Sequence, residues 1–215
     1  MSDQATAESA MVLGPEDLQE ISRHAVPRQF KPRTILLSEG ERTDNLYIIL
    51  EGRVRAYVSD ADGREAVLSV MGPGEYFGEV AFDEGPRSAS VMTVEPCRLL
   101  VVPREEFAAF VKRSPIFATH FINRLIARIR TLTENVRSLA LMDAYGRVAR
   151  LLLETSVTEK AVQFVPEKLT QADIASRVGC SREMVSRIFK DLVQGGYITI
   201  ESDRIVINRR PPARW

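Results

Sequence analysis

The sequence predicts an α+β chain with an N-terminal β jelly roll, one long helix and a C-terminal winged helix-turn-helix. Three observations carry this. Between Arg33 and Val102, short alternating apolar segments recur, each closed by Gly, Pro or Asp-Gly. After Pro115, apolar residues repeat at helical spacing as far as Leu141. Around Gly179, two short helical patterns meet, and two alternating runs follow them. The corresponding domains are residues 1–114, 115–142 and 143–215.

Composition sets the bounds. The chain has 215 residues, suited to one large domain or two small ones, with 45% hydrophobic and 27% charged residues. The longest apolar runs, Leu151-Leu152-Leu153 and Leu99 to Val102, are too short to cross a membrane. MSDQATAESA has neither the basic start nor the apolar core of a signal peptide. Cys97 and Cys180 are the only cysteines, too few for a disulfide framework or a cysteine-ligated metal site. A cytoplasmic protein without membrane attachment is expected. The net charge of zero hides an asymmetry. Residues 144–215 carry 12 Lys and Arg against 8 Asp and Glu, whereas residues 1–143 carry 17 against 21. A basic C-terminal third either meets a polyanion or reflects a chance excess of four charges.

Residues 1–14 read as disordered, and PEDLQEISRHA as a short helix with acids in its first turn, where the helix dipole favours them. RTILLSEG, NLYIILEG, RVRAYVSDADG, REAVLSVMGPG and SASVMTV are the strand segments, with a hairpin at Asp62-Gly63. PREEFAAFVKR is a short helix. Ser114-Pro115 reads as an N-cap followed by Pro at the first helical position. The long helix repeats Ile122, Leu125, Ile129, Leu132, Val136 and Leu139 in steps of 3 and 4, a heptad seam. Arg124, Arg128, Arg130, Glu134 and Arg137 lie off it. That stripe fits either a partner helix in a homodimer or packing on the chain's own β domain. Asp143 is placed to cap AYGRVARLLLETS. VTEKAVQFVPEK reads as a loop with room for a short strand, and NRRPPARW as a loose basic tail.

In TQADIASRVGCSREMVSRIFKDL, Thr170 and Asp173 form a capping-box-like start. Ile174, Ala175 and Val178 face inward, and Gly179 ends the first helix. Ser181 caps the second, whose inward residues are Val185, Ile188, Phe189 and Leu192. YITI and RIVI form the wing hairpin. The outer face of the second helix carries Arg182, Glu183, Ser186, Arg187 and Lys190. Arg bonds guanine bidentately and Glu accepts from cytosine's amino group, so this face suits the major groove of double-stranded DNA. A merely solvated helix face would also carry charge, but would not require the turn and the hairpin.

VGCSREMVSRIFKDL and SLALMDAYGRVARLLL resemble the recognition region and hinge of the cyclic AMP receptor protein and fumarate–nitrate reductase regulator superfamily. The order of parts agrees over nearly the whole chain. The resemblance implies a jelly roll of the cyclic-nucleotide-binding type, a homodimer through residues 115–142, and a DNA-binding transcription regulator that contacts RNA polymerase. It places Arg182, Glu183 and Arg187 on the family's base-reading positions, implying palindromic half-sites like TGTGA. Thr170, Gln171 and Ser181 would hold phosphates. Met184 stands where the catabolite activator has a hydroxyl residue.

FGEVAFDEGPRSASV, residues 77–91, holds a carboxylate and a guanidinium beside small neighbours. It fits either a surface salt bridge or a phosphate cradle. By resemblance it is the cyclic-nucleotide cassette: Gly78, Glu79, Val80, Arg87, Ser88 and Ala89, with Glu79 on a ribose 2′-hydroxyl and Arg87 and Ser88 on the cyclic phosphate. Two features depart from the family. The stretch from Glu79 to Arg87 is one or more residues shorter. Leu132 and Thr133 stand where the catabolite activator has an adenine-reading Thr and Ser, and Arg128 is placed to approach a base. Cyclic AMP is the expected effector, with cyclic di-GMP or no effector as alternatives. Neither a haem nor an iron–sulfur cluster is expected, since no Cys precedes Cys97, and His24 and His120 lie outside the cassette. No GxSxG, Walker loop or metal-ligand spacing suggests an enzyme.

Overall fold

The structure is a computed structural model that describes residues 15–23, 25–79, 85–166 and 169–212, with side chains from residue 19 onward. Expectations for residues 1–14, His24, Val80 and the last three residues lie outside the described residues. The described residues form two compact units, one comprising those up to residue 60 and those of 67–132, the other those of 61–66 and those from 133 onward.

The first unit begins with α1 (Pro15–Ser22) and strands β1 (Val26–Phe30), β2 (Ile35–Leu37), β3 (Asn45–Glu51) and β4 (Val54–Ser59). Strands β5 (Glu65–Met71), β6 (Tyr76–Phe77), β7 (Ser90–Thr93) and β8 (Cys97–Pro103) follow, then α2 (Arg104–Arg113). Two four-stranded sheets result, in the orders β1-β8-β3-β6 and β2-β7-β4-β5. The pairs β1–β8, β3–β8, β3–β6, β2–β7 and β4–β7 run antiparallel. This is the jelly-roll arrangement, with alternation along β3 and β8 sending Leu46, Ile48, Leu100 and Val102 to one core cluster and Ile49 and Leu99 to another.

Three strands carry little local signal. In β1, residues 26–29 are all exposed, and Pro27 sits on a sheet edge, where its missing N–H costs no ladder bond. β6 has only two residues. β8 shows in the sequence only as an apolar run. The helical pattern at 103–113 starts one residue later than expected: Pro103 ends β8 and occupies the N-cap of α2.

The long helix, α3 (Pro115–Leu141), starts as its sequence dictates. Phe117 N–H donates to Ser114 Oγ at 3.2 Å. Its first turns pack Phe117 and Phe121 against Phe107, Phe110 and Tyr76, with Phe107 and Phe117 fully buried. Along the seam, Ile122, Ile129, Leu132, Val136 and Leu139 are exposed, as are Ile126 and Leu141, and Leu125 is half-buried. The charged remainder is not all solvated, contrary to the heptad reading. Arg124 is buried and Arg128 half-buried, both turned to the β-roll. The helix therefore has two working faces.

The second unit contains α4 (Ala144–Glu154), β9 (Val157–Glu159), β10 (Val162–Val165), α5 (Gln171–Val178), α6 (Arg182–Gln194), β11 (Ile198–Ile200) and β12 (Ile205–Ile207). Asp143 caps α4 by accepting from Gly146 N–H at 2.7 Å. The sheet order is β11-β12-β10-β9. The VTEKAVQFVPEK loop is in fact a hairpin, turned by Lys160 and Ala161 at positive φ. The C-terminal segment is also less loose than expected. Arg209 stacks on Tyr197 at 4.2 Å and donates to the Gly195 carbonyl, and Pro211 is buried. No helix among the described residues is long and apolar enough to cross a membrane.

Phe107 fills the junction of α2, α3 and the β-roll. Phe107→Ala should cost about 3–5 kcal/mol of stability, read by urea unfolding. A loss below about 1 kcal/mol would show that the junction repacks.

Candidate effector cassette and DNA-reading helix

Arg87 and Glu79 do not pair with each other, so the salt-bridge reading of this stretch fails. Arg87 is only 4% exposed. Its guanidinium donates from Nη1 to Gly78 O at 2.6 Å, from Nη2 to Asn45 O at 2.7 Å and from Nε to Thr43 Oγ1 at 2.9 Å. These bonds take three of its five N–H groups and leave one on each terminal nitrogen. Its backbone is equally held: Arg87 N–H donates to Glu41 O and Gly40 N–H to Arg87 O. Burial lowers the Arg87 pKa from the ordinary guanidinium value, and Tyr47, Glu79 and Asp44 oppose this. The group stays charged, since arginine does not deprotonate in proteins.

Gly78 makes this arrangement possible. It has φ +91°, and a Cβ there would lie 2.8 Å from Asn45 O and 3.3 Å from Arg87 Nη1. Only glycine accepts both the conformation and the close approach. Ser88 is exposed and Ala89 half-buried beside Arg87. A cyclic phosphate fits this donor set: a charged fork with unspent N–H groups, a serine hydroxyl and a small neighbour.

Glu79 accepts instead from Arg128 on α3, at 2.7 Å. One helical turn earlier, Arg124 donates to Glu75 at 2.5 Å and lies 4.7 Å from the centre of the Tyr76 ring. Glu75 also accepts from Gly72 N–H at 2.6 Å. The two ion pairs thus form rungs between α3 and the segment around β6. Arg128 therefore meets the cassette through Glu79. Leu132 and Thr133 are exposed on the same helix. Sequence reasoning missed Arg124, Glu75 and Thr43. Only the four-residue spacing shared by Glu75/Glu79 and Arg124/Arg128 hinted at the ladder.

In the second unit, Thr170 and Asp173 complete the capping box. Asp173 N–H donates to Thr170 Oγ1 at 3.1 Å, and Thr170 N–H to Asp173 Oδ2 at 2.9 Å. Gly179 closes α5 at φ +65°. Ser181 Oγ then accepts from Met184 N–H at 3.2 Å and starts α6. Val185, Ile188, Phe189 and Leu192 are buried against Ile174, Ala175 and Val178. Arg182, Glu183, Ser186, Arg187 and Lys190 are exposed together on α6, with Thr170 and Ser181 exposed and Gln171 half-buried nearby in sequence. The Glu183 carboxyl is held below its ordinary range by its own backbone N–H, then by the Ser181 hydroxyl. It is therefore an acceptor at neutral pH. Arg147, also unnoticed in the sequence, donates to Val178 O at 2.7 Å, Met142 O at 2.8 Å and Gly179 O at 3.3 Å. It clamps the turn that presents α6.

Cys97 is buried and Cys180 half-buried, and burial pushes both thiols up. Neither has the depressed pKa of a reactive cysteine.

Known proteins share both halves of this arrangement. Residues 27–114 match the cyclic nucleotide-binding domain, and residues 146–211 the Crp-like helix-turn-helix domain. A CRP-like cAMP-activated global transcriptional regulator of Mycobacterium tuberculosis is 32% identical over 199 residues, 90% of this chain and 89% of its own. The chain belongs to the CRP/FNR family of DNA-binding transcription regulators. A second CRP/FNR relative, the cAMP-activated global transcriptional regulator of Salmonella typhimurium, is 30% identical over 206 residues, 92% of this chain and 98% of its own. Among solved structures, the regulator CLP of Xanthomonas campestris superposes with a TM-score of 0.80 at 24% identity, covering 90% of this chain and 99% of that one. The Thermus thermophilus catabolite activator protein gives 0.53 at 28% identity, covering 91% of each. A CRP/FNR jelly roll, long helix and winged helix-turn-helix are thus what this chain folds into.

Gly78→Ala should lower β-roll stability by about 1–3 kcal/mol, the cost of an L-residue forced into that backbone, with Arg87 displaced as well. A thermal melt unchanged from wild type would show that the close approach is not required.

Proposed function

We propose that this regulator is a homodimer controlled by a cyclic nucleotide bound in the jelly roll, with cyclic AMP the first choice, and that it reads palindromic TGTGA-like half-sites. The observation that carries the reading is the Glu79–Arg128 pair. It joins a cassette carboxylate to the helix whose adjacent face is an exposed apolar seam. Arg87 and Ser88 would hold the cyclic phosphate, with Gly78 and Ala89 allowing close approach of the backbone and Val80 beside Glu79. A ribose 2′-hydroxyl accepted by Glu79 would compete with Arg128. Occupancy of the cassette is thereby coupled to α3 without any separate relay. The effector would stabilise the DNA-competent state only in proportion to its tighter binding there.

Two-fold pairing along residues 115–142 supports a palindromic site. Arg182, Glu183 and Arg187 would read base edges, with Ser186 and Lys190 on the same face and Thr170, Gln171 and Ser181 on phosphates. RNA polymerase is the expected protein partner, and the cytoplasm the expected compartment. Residues 1–114, 115–142 and 143–215 serve sensing, dimerisation and DNA binding.

A second reading keeps the DNA role and changes the messenger to cyclic di-GMP. Leu132 supports it, because a leucine offers no hydroxyl to adenine. The Xanthomonas campestris regulator CLP, similar in fold, is a c-di-GMP responsive global regulator.

Calorimetric titration with cyclic AMP, cyclic GMP and cyclic di-GMP tests the effector. Cyclic AMP binding should vanish in Arg87→Ala. Because Arg87 also supports the fold, Ser88→Ala is the companion: its exposed hydroxyl can go without structural loss, and affinity should fall about tenfold or more for a lost bond to a charged group. Binding of cyclic di-GMP alone would select the second reading, and no binding would leave an effector-independent regulator. On DNA, Arg187→Ala should lose about 1–3 kcal/mol of preference for the G·C pair it reads. Equal discrimination by wild type and variant in a gel shift would remove Arg187 from the base-reading set.

A further inference from the structure

Among the exposed side chains in the first two turns of α6, one is used by none of the roles above. Met184 is 37% exposed, whereas the inward residues Val185, Ile188, Phe189 and Leu192 are buried. Its exposed neighbours Arg182, Glu183, Ser186, Arg187 and Lys190 are all polar or charged. Met184 is therefore an apolar group on a polar face. It lies in the first turn, since its N–H is the one that Ser181 caps. It is also three residues before Arg187, hence about 60° from it around the helix.

We infer that Met184 reads a thymine in each half-site through the 5-methyl group. The inference rests on the DNA-reading role of α6 proposed above and adds a base to it. A thioether has no proton to donate and is a weak acceptor, so it offers a phosphate oxygen nothing. In the major groove the four base pairs present donors, acceptors and a single apolar feature, the methyl group of thymine. An unbranched, polarisable methionine adapts its length to such a contact. The position also suits it. Residues in the first turn of a recognition helix are those that reach base edges, and Met184 sits beside Arg187, whose own target is a guanine. Met184 thus narrows the sequence next to that guanine by contact with a methyl group rather than by a hydrogen bond.

The test uses the full-length protein, with and without cyclic AMP. Palindromic duplexes selected by the wild type from a random pool are resynthesised with deoxyuridine in place of one symmetry-related pair of thymidines at a time. Binding is followed by fluorescence anisotropy for wild type, Met184→Ala and Met184→Thr. At one position, loss of the methyl should weaken wild-type binding about fourfold per half-site, the effect of one buried methyl-sized group. Met184→Ala should bind the parent duplex correspondingly more weakly and be insensitive to deoxyuridine there. Met184→Thr, which restores a hydroxyl, should select pools with relaxed preference at that base pair. The inference is overturned if no position is methyl-sensitive, or if sensitivity persists in Met184→Ala. Failure to select any site over random DNA would overturn the DNA-reading role itself, and the inference with it.

Discussion

Two carboxylate–guanidinium pairs, Glu75–Arg124 and Glu79–Arg128, decide how the long helix meets the β-roll. Charged pairs held away from water are costly unless each partner is well satisfied. Glu75 meets this condition with a backbone N–H as well as Arg124; the Arg124 guanidinium lies against the Tyr76 ring, while its Nη1 is buried without a hydrogen-bond partner among the described residues. The less buried pair, Glu79–Arg128, is the one at the cassette. One rung is therefore structural, and the other sits where the proposed ligand would compete for it. Their spacing of one helical turn means that α3 cannot slide by a residue without mismatching both.

The second unit solves a different problem. A helix that reads DNA must be exposed on one side and fixed in register on the other. Ser181 fixes the start of α6, Gly179 lets the chain turn sharply before it, and Arg147 binds the carbonyls left at the end of α5. A cation at a helix C-terminus is favoured by the dipole as well as by the bonds. The apolar core beneath then sets which face of α6 remains outside.

Much of this was legible because it follows local rules. Caps at Ser114, Asp143, Thr170 and Ser181 are short-range chemistry, and the inward residues of α5 and α6 follow the helical period. What escaped depends on partners far away in sequence. Arg124 reads as solvated from its neighbours and is buried only because Glu75, 49 residues earlier, comes to meet it. Arg87 looks like a surface cation until Thr43 and Asn45 are placed around it. The β9–β10 hairpin hides because Lys160 and Ala161, rather than Gly or Asn, take the left-handed turn positions. β1 hides because an edge strand exposed along four residues shows no alternation. The Glu79–Arg87 motif was recognisable by resemblance, but its engagement with carbonyls and with α3 was not.

The buried fork of Arg87 has a consequence for how such regulators diverge. Lysine supplies a charge but no rigid plane of separated donors, so no single replacement satisfies Gly78, Asn45 and Thr43 together. A lineage that stops using a nucleotide cannot discard this arginine freely, because the same atoms tie Thr43 and Asn45 to Gly78. The residue would persist as an architectural fossil after its ligand was gone. Among descendants, the first traces of a changed messenger would then accumulate at the exposed Ser88, Leu132 and Thr133, where replacement carries no folding penalty of that kind.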